Sequence, residues 1–269
     1  MLEDITRSFT IAFTMRSGSN AICNLLARNG LGAPTEWFQS PLAACNGESW
    51  LDAFVRLVNE HQAEGVFGSK MSHNHRAALD ECLRSAIPGY RRLDEVLPGH
   101  RWVWLVRKNK VLQAISLCRA EQSGQWAMTG PDDAKPVDFD YDFFHVLSRI
   151  MMIQGGELAW DLYFQQNGIE PFLIVYEDFF QNLDCQLPRL IDYLGGLPPG
   201  RSLDMSEGFV IQRDAMNRAL ERRFISDFTR VGETSFANEI GEPFDTWVRF
   251  FFQKGWRMPT HFDPTDHLY

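Results

Sequence analysis

The sequence predicts an α/β protein, a single domain over residues 1–269 in which a central, mainly parallel sheet is flanked by helices. Two observations predict it. Short β-rich runs alternate with amphipathic helical runs over the first two hundred residues, the pattern of right-handed strand-helix-strand crossovers. One of those runs, Trp102 to Val106, is apolar throughout, as a strand covered on both faces by helices must be.

Each element has its own local signal. Ser8 to Met15 is β-rich and gives way at Arg16-Ser17-Gly18-Ser19 to a helix marked by Ala21, Ile22, Leu25 and Leu26. Trp50 to Glu64 carries the stripe Leu51, Phe54, Val55 and Val58, with Gly65 as its stop. Val66 to Met71 is a short buried strand, and His75 to Ala86 a helix. After the strand at 102–106, the sequence predicts a helix over Lys110–Gln122 and a Gly- and Pro-containing surface loop over 123–138. A long helix over Asp142–Gln166 ends near Gly168. Phe172 to Tyr176 is the last strand, Leu183 to Leu194 the next helix, and 195–200 a turn. From Asp204 onward the chain is charged and then aromatic, with Phe250, Phe251, Phe252 and Trp256, and is expected to add helices to the same domain.

Composition narrows the function. The 269 residues are 45% apolar and 23% charged. A chain of this length buries roughly three quarters of its unfolded surface, so its core needs neither a metal nor disulfides. Lys and Arg number 26 against 35 acids, a net charge of −9, which excludes a general nucleic-acid or anionic-membrane surface. Any anion must be bound by a local site. Cys23, Cys45, Cys82, Cys118 and Cys185 are odd in number and widely spaced, the usage of a reducing compartment rather than of a disulfide framework or metal knuckle. The first residues put acids before an apolar run and arginine after it, the reverse of a signal peptide, and no run approaches the roughly 20 apolar residues of a membrane span. The expectation is an unprocessed, soluble, cytoplasmic protein.

Two stretches carry chemistry. In TIAFTMRSGSNAICNLLARNG, a strand delivers small residues to a helix start, where N–H groups of residues 17–20, the helix dipole, the Arg16 guanidinium and the Ser17 and Ser19 hydroxyls converge on an anion site. The same residues also read as an ordinary helix cap. A Walker-type G-x-x-x-x-G-K-[ST] is missing from it, which argues against a nucleoside-triphosphate loop. In WVWLVRKNKVLQAISLCRAEQSGQW, Arg107 stands at the carboxyl edge of a strand, where open α/β sheets bind ligands, and Ser116 lies on the following helix. Otherwise Arg107 is a solvated loop charge and Ser116 a hydroxyl bonded to its own helix.

Together these stretches resemble the PAPS-dependent sulfotransferases and, within them, the bacterial trehalose 2-sulfotransferase family. The resemblance rests on Arg16-Ser17-Gly18-Ser19, Pro34-Thr35-Glu36-Trp37-Phe38, Arg107-x-Asn109 and Gln113-Ala114-x-Ser116, with weaker matches at Val175-Tyr176-Glu177-Asp178 and Gln212-Arg213-Asp214-Ala215, in family order. It implies a P-loop-like sulfotransferase fold. Arg16, Ser17, Gly18, Ser19 and Asn20 would hold the 5′-phosphosulfate of 3′-phosphoadenosine 5′-phosphosulfate (PAPS), and Arg107 with Ser116 its 3′-phosphate. Glu36 would be the general base, Arg16 would stabilise charge on the bridging oxygen, PAP would be the product, and no metal would be needed. The acceptor is expected to be a hydroxyl of a carbohydrate, glycolipid or other small molecule, with Trp37, Phe38, Lys70, His73 and Trp126 as acceptor-side candidates. Relatives in the family can dimerise, so a homodimer is an expectation too. Two other readings stay open: an ATP- and Mg²⁺-dependent kinase of P-loop type, and a nucleotide-binding protein without turnover. The chain departs from the family at Asn109, where many relatives carry an acid, at Asn20, where threonine is usual, and in the segment after Phe38. His73-x-His75 is a weak metal signal without a third ligand nearby.

Overall fold

Strand pairing organises the chain. The computed structural model describes residues 2, 4–39, 49–126, 139–206 and 215–233. Strands β1 (Arg7–Ala12), β2 (Gln62–Ala63), β3 (Val66–Met71), β4 (His100–Val106) and β5 (Phe172–Val175) form one sheet in the order β2-β3-β1-β4-β5. All pairs are parallel except that of β2 with β3 at the edge. The α/β class read from the sequence is the fold observed.

The helices are α1 (Ser19–Arg28), α2 (Trp50–Glu60), α3 (His73–Ala86), α4 (Lys110–Ser123), α5 (Phe143–Asn167), α6 (Tyr176–Gln181), α7 (Leu183–Tyr193) and α8 (Ala215–Glu233). Helices α1, α6 and α7 cover the sheet on one face and α2, α3 and α5 on the other, because alternate strand residues point to opposite sides. Phe9 and Ile11 of β1, Val103 and Leu105 of β4 and Ile174 of β5 pack with Ile22, Leu25 and Leu26 of α1 and Leu187, Leu190 and Ile191 of α7. Ala12, Phe67, Met71 and Trp102 face the other way, onto Phe54 and Val58 of α2, Leu79 and Leu83 of α3 and Trp160, Tyr163 and Phe164 of α5. Two hydroxyls among these strands, Thr10 Oγ1 and Ser69 Oγ, lie 2.8 Å apart and satisfy each other, which removes the cost of burying them.

Three boundaries differ from the sequence reading, each for a local reason. The first strand ends at Ala12, and Phe13 to Met15 belong to the loop that follows. The second helix stops at Glu60, because Glu64 and Gly65 both take positive φ (53° and 75°) and turn β2 back against β3. Two such residues between paired strands form a tight hairpin turn, which a helical stripe does not reveal. Tyr176, expected at the end of the last strand, opens the six-residue α6.

The chain divides into two compact units, Met1–Glu221 and Arg222–Tyr269. The sheet and α1 to α7 lie in the first. In the second, Phe224 and Phe228 of α8 stack at 6.1 Å between ring centroids. The aromatic residues at 250–256, the segment 40–48, most of the loop after Trp126 and the Gln212-Arg213-Asp214 match lie outside the described residues. No described helix is long and apolar enough to cross a membrane.

Candidate active site

The loop between β1 and α1 is fixed from three sides. Phe13 N–H donates to the Met71 carbonyl of β3 at 3.2 Å. The buried Gln113 of α4 donates its amide to Thr14 Oγ1 at 3.0 Å and to the Met15 carbonyl at 2.8 Å. Gly18, at φ 95°, lies flat against the Tyr176 ring, where a Cβ would come within 2.2 Å of Cε2. That contact and the left-handed backbone admit glycine alone without rearrangement. Arg16 also has positive φ, 61°, so the loop holds one strained position, at Arg16, just before the helix starts.

What the loop offers follows from this geometry. Gly18 caps α1 without a side-chain bond, and the N–H groups of Gly18, Ser19 and Asn20 have no backbone acceptor among the described residues. With the helix dipole behind them they favour an anion. Ser17 is placed differently from the sequence reading. It is fully buried, its N–H donates to the Thr14 carbonyl, and its Oγ is enclosed without a partner among the described residues.

Two cationic clusters flank the loop. In the first, Arg16 Nε donates to Ser116 Oγ at 2.9 Å and a second Arg16 nitrogen to the Trp126 carbonyl. Arg107 donates to the Arg16 carbonyl and to Glu177, both at 3.3 Å, and Glu177 also accepts from Lys108 N–H at 2.9 Å. Burial, then the nearby charges of Arg107 and Arg119, hold the Arg16 guanidinium below its ordinary pKa. Three arginines crowded so that they oppose one another's charge suit a polyanion. Arg119 was not singled out from sequence, although it lies one helical turn beyond Ser116.

In the second cluster, Lys70 is central. Its backbone N–H donates to the Thr35 carbonyl at 2.9 Å, and Thr35 bridges Ser69 in parallel register, so Glu36 is delivered beside the lysine. Lys70 Nζ lies 3.0 Å from Glu36 Oε1, 2.6 Å from Asn20 Oδ1 and 3.4 Å from Ser19 Oγ, with the Phe13 ring centroid at 5.0 Å. The other Glu36 oxygen faces His75 Nδ1 at 4.0 Å. The structure therefore brings together Ser19, Asn20, Glu36 and Lys70, and separately Arg16, Arg107 and Ser116. Arg16, the residue expected at the bridging oxygen, donates to Ser116 and to the Trp126 carbonyl, and Lys70 is the cation beside Glu36.

The remaining acceptor-side candidates are placed less favourably. Phe38 is core, 5% exposed between Phe54 and Phe67. Trp37 stacks on His61 at 3.6 Å and donates to the Gly68 carbonyl, so its ring is already occupied. His73 faces Arg76 at 3.0 Å, and burial followed by that charge pushes its pKa down to about 4. The two histidines of the His-x-His pair thus turn to different partners. Trp126 keeps an exposed ring. Among the described residues, Cys118, Glu121 and His145 could share a metal, but Glu121 is already held by Arg149 at 2.8 Å and His145 at 2.9 Å, and burial pushes the Cys118 thiol up to about 12.

Asn109 explains one departure from the family pattern. Its side chain accepts from Leu112 N–H at 2.9 Å, capping α4, and donates to Glu221 Oε1 at 2.7 Å. An aspartate would keep the cap and oppose Glu221.

N–H groups without backbone acceptors among the described residues, between a parallel strand and a helix and flanked by cations and the carboxylates Glu36 and Glu177, suit an anionic group at the carboxyl edge of the sheet. Comparison with known proteins makes this specific: residues 8–222 match the model of the Stf0 sulphotransferase family, and the chain belongs to that family. It is a transferase. It is similar to the trehalose 2-sulfotransferase of Mycobacterium tuberculosis, 25% identical over 84% of this chain and 97% of that protein. It is likewise similar to the trehalose 2-sulfotransferase of Mycolicibacterium smegmatis, 24% identical over 86% of this chain and 99% of that protein.

Proposed function

We propose that this chain transfers a sulfuryl group from PAPS to a hydroxyl of a carbohydrate, with Glu36 as general base. One observation carries the reading: the Lys70 ammonium ties the Glu36 carboxylate (3.0 Å) to the start of α1 (2.6 Å to Asn20), so a proton acceptor sits beside an anion site. The donor fits the residues present, since the N–H groups of 18–20 lack backbone acceptors among the described residues, in a loop that Gly18 lets turn tightly against the Tyr176 ring. PAPS, when bound, supplies the sulfuryl group and departs as PAP.

The roles of the residues follow from where they lie. The N–H groups of Gly18, Ser19 and Asn20 hold the 5′ end of the donor, and Lys70 replaces Arg16 as the cation at the reacting end. Arg16, Arg107 and Ser116 hold the 3′-phosphate, with the Ser116 hydroxyl proton and one Arg107 nitrogen free to donate among the described residues. Glu36 takes the proton that the acceptor hydroxyl sheds as its oxygen bonds to sulfur, a role for which a carboxylate needs only hydrogen-bond reach. Most of the remaining acceleration comes from positioning and fixed charge, as in phosphoryl transfer.

The test is transfer of ³⁵S from PAPS to a carbohydrate panel that includes trehalose, in excess chelator. Labelled product is expected without metal, because Lys70, Arg16, Arg107 and the helix start supply the positive charge that kinases recruit from Mg²⁺. Activity with ATP that chelator abolishes and Mg²⁺ restores would support the kinase reading instead.

A further inference from the structure

We propose that Lys70 is shared between Glu36 and the donor, so that loading the donor is what releases the base. The inference rests on the donor reading given above and adds a coupling between its two halves. An ammonium has three N–H donors, and here all three have acceptors: Glu36 Oε1 at 3.0 Å, Asn20 Oδ1 at 2.6 Å and Ser19 Oγ at 3.4 Å. The side chain is only 7% exposed, so water does not substitute for an acceptor that leaves. Two of the three acceptors belong to the first two residues of α1, where the anion is held. An anion there must draw on the same ammonium, and it takes its share from the other charged acceptor, Glu36.

Both sides of this exchange have a destination. The ammonium moves from neutralising a carboxylate to neutralising the donor. The carboxylate regains a lone pair that the ammonium had engaged, in time for an acceptor hydroxyl. His75 Nδ1, 4.0 Å from Glu36 Oε2 and without a hydrogen-bond partner among the described residues, is placed to keep Glu36 oriented when Lys70 loosens. Lys70 therefore acts as a positioning residue for Glu36 and as a ligand for the donor, but not fully as both at once.

The exchange predicts an effect opposite to loss. Glu36→Gln removes the competitor, so PAPS binding tightens, by about tenfold if one charge-assisted bond is freed. Removing carboxylate repulsion alone would also tighten binding, so the Lys70→Met background decides. Calorimetric titration with PAPS, without acceptor, of the wild type, Glu36→Gln, Lys70→Met and the double variant gives the answer. The tightening caused by Glu36→Gln should shrink severalfold when Lys70→Met is present and return with Lys70→Arg, which keeps a cation. A merely structural lysine would not produce that dependence. Lys70→Gln replaces Lys70→Met where the latter does not fold. Equal tightening in both backgrounds, or none in the Glu36→Gln single variant, overturns the sharing. Failure of every protein to bind PAPS overturns the donor reading itself and the sharing with it.

Discussion

Two ion pairs, one ahead of α3 and one within it, differ in how much of each carboxylate the fold consumes. Arg76 and Asp80, one helical turn apart, are both buried, and Tyr90 donates to the second Asp80 oxygen. Burial and the Asp80 charge raise the Tyr90 phenol's pKa, so it stays protonated and keeps donating. The Arg76 guanidinium also covers the Tyr163 ring at 4.0 Å. Both Asp80 oxygens are thus engaged within the fold, one by Arg76 and one by Tyr90. Lys70 and Glu36 form a pair of the same charge type, yet Glu36 is 27% exposed and, among the described residues, its second oxygen has only His75, at 4.0 Å. A carboxylate with an unused oxygen next to a helix start can accept a proton from a substrate. A carboxylate with both oxygens engaged can only hold the fold.

The largest difference between the pairs should appear in turnover. Glu36→Gln is expected to lower kcat by about 10²–10⁴-fold with donor and acceptor saturating, the usual contribution of a base, while the melting temperature barely moves. A loss under about tenfold would remove Glu36 from that role.

Asp80→Ala should do the reverse. It leaves Arg76 buried without its partner, which costs about 3–5 kcal/mol of stability, read from chemical denaturation, while the folded fraction keeps its kcat. A stable variant with reduced turnover would reverse the assignment of the two pairs.

Gly18→Ala is expected to weaken both stability and PAP affinity, since the new Cβ meets the Tyr176 ring and the backbone strain is roughly 1–3 kcal/mol. If PAP affinity is unchanged, the loop backbone does not approach the nucleotide.

Acid supplies the mildest perturbation. His73, pushed down to about 4, and His100, pushed down to about 3 by burial, are neutral in the folded protein where the unfolded chain binds protons with a pKa near 6.5. Between those values the unfolded state holds more protons, so stability is full above about pH 6.5 and declines as pH falls toward 4. His73→Gln should flatten the upper part of that decline in denaturation curves taken from pH 7 to 4. The half-exposed setting of His73 keeps its share small. An unchanged slope would mean that His73 is not held neutral by burial and the Arg76 charge.

The α/β class and its mainly parallel sheet followed from features visible in sequence. Val66 to Met71 pairs over the span its apolar run suggested, and Asn109 caps α4 as its position before Lys110 implied. Arg16 and Arg107 were legible because they sit between a strand and the helix that follows it, whereas Glu36, in the segment after α1, stood out only through the family motif. Legibility ended where side chains choose between neighbours distant in sequence. Nothing near Arg16 says that its guanidinium will find Ser116, a hundred residues away, rather than the reacting group. Phe38 and Trp37 were read as acceptor contacts, but the strand register that places Thr35 beside Ser69 turns Phe38 into the core. Lys70 and Arg119 gain their meaning only once β3 and α4 stand beside the loop.

The central claim is that the loop and its flanking arginines hold a 3′-phosphorylated nucleotide. The most direct test is calorimetric titration of the wild type with PAP, 5′-AMP and ATP in chelator, repeated with Arg107→Ala. The 3′-phosphate gains charge-assisted bonds of roughly 1.5–3 kcal/mol each, so PAP should bind at least about tenfold more tightly than 5′-AMP, and Arg107→Ala should narrow that gap by weakening PAP alone. Equal affinity for PAP and 5′-AMP, or ATP binding tighter than PAP, would contradict the account.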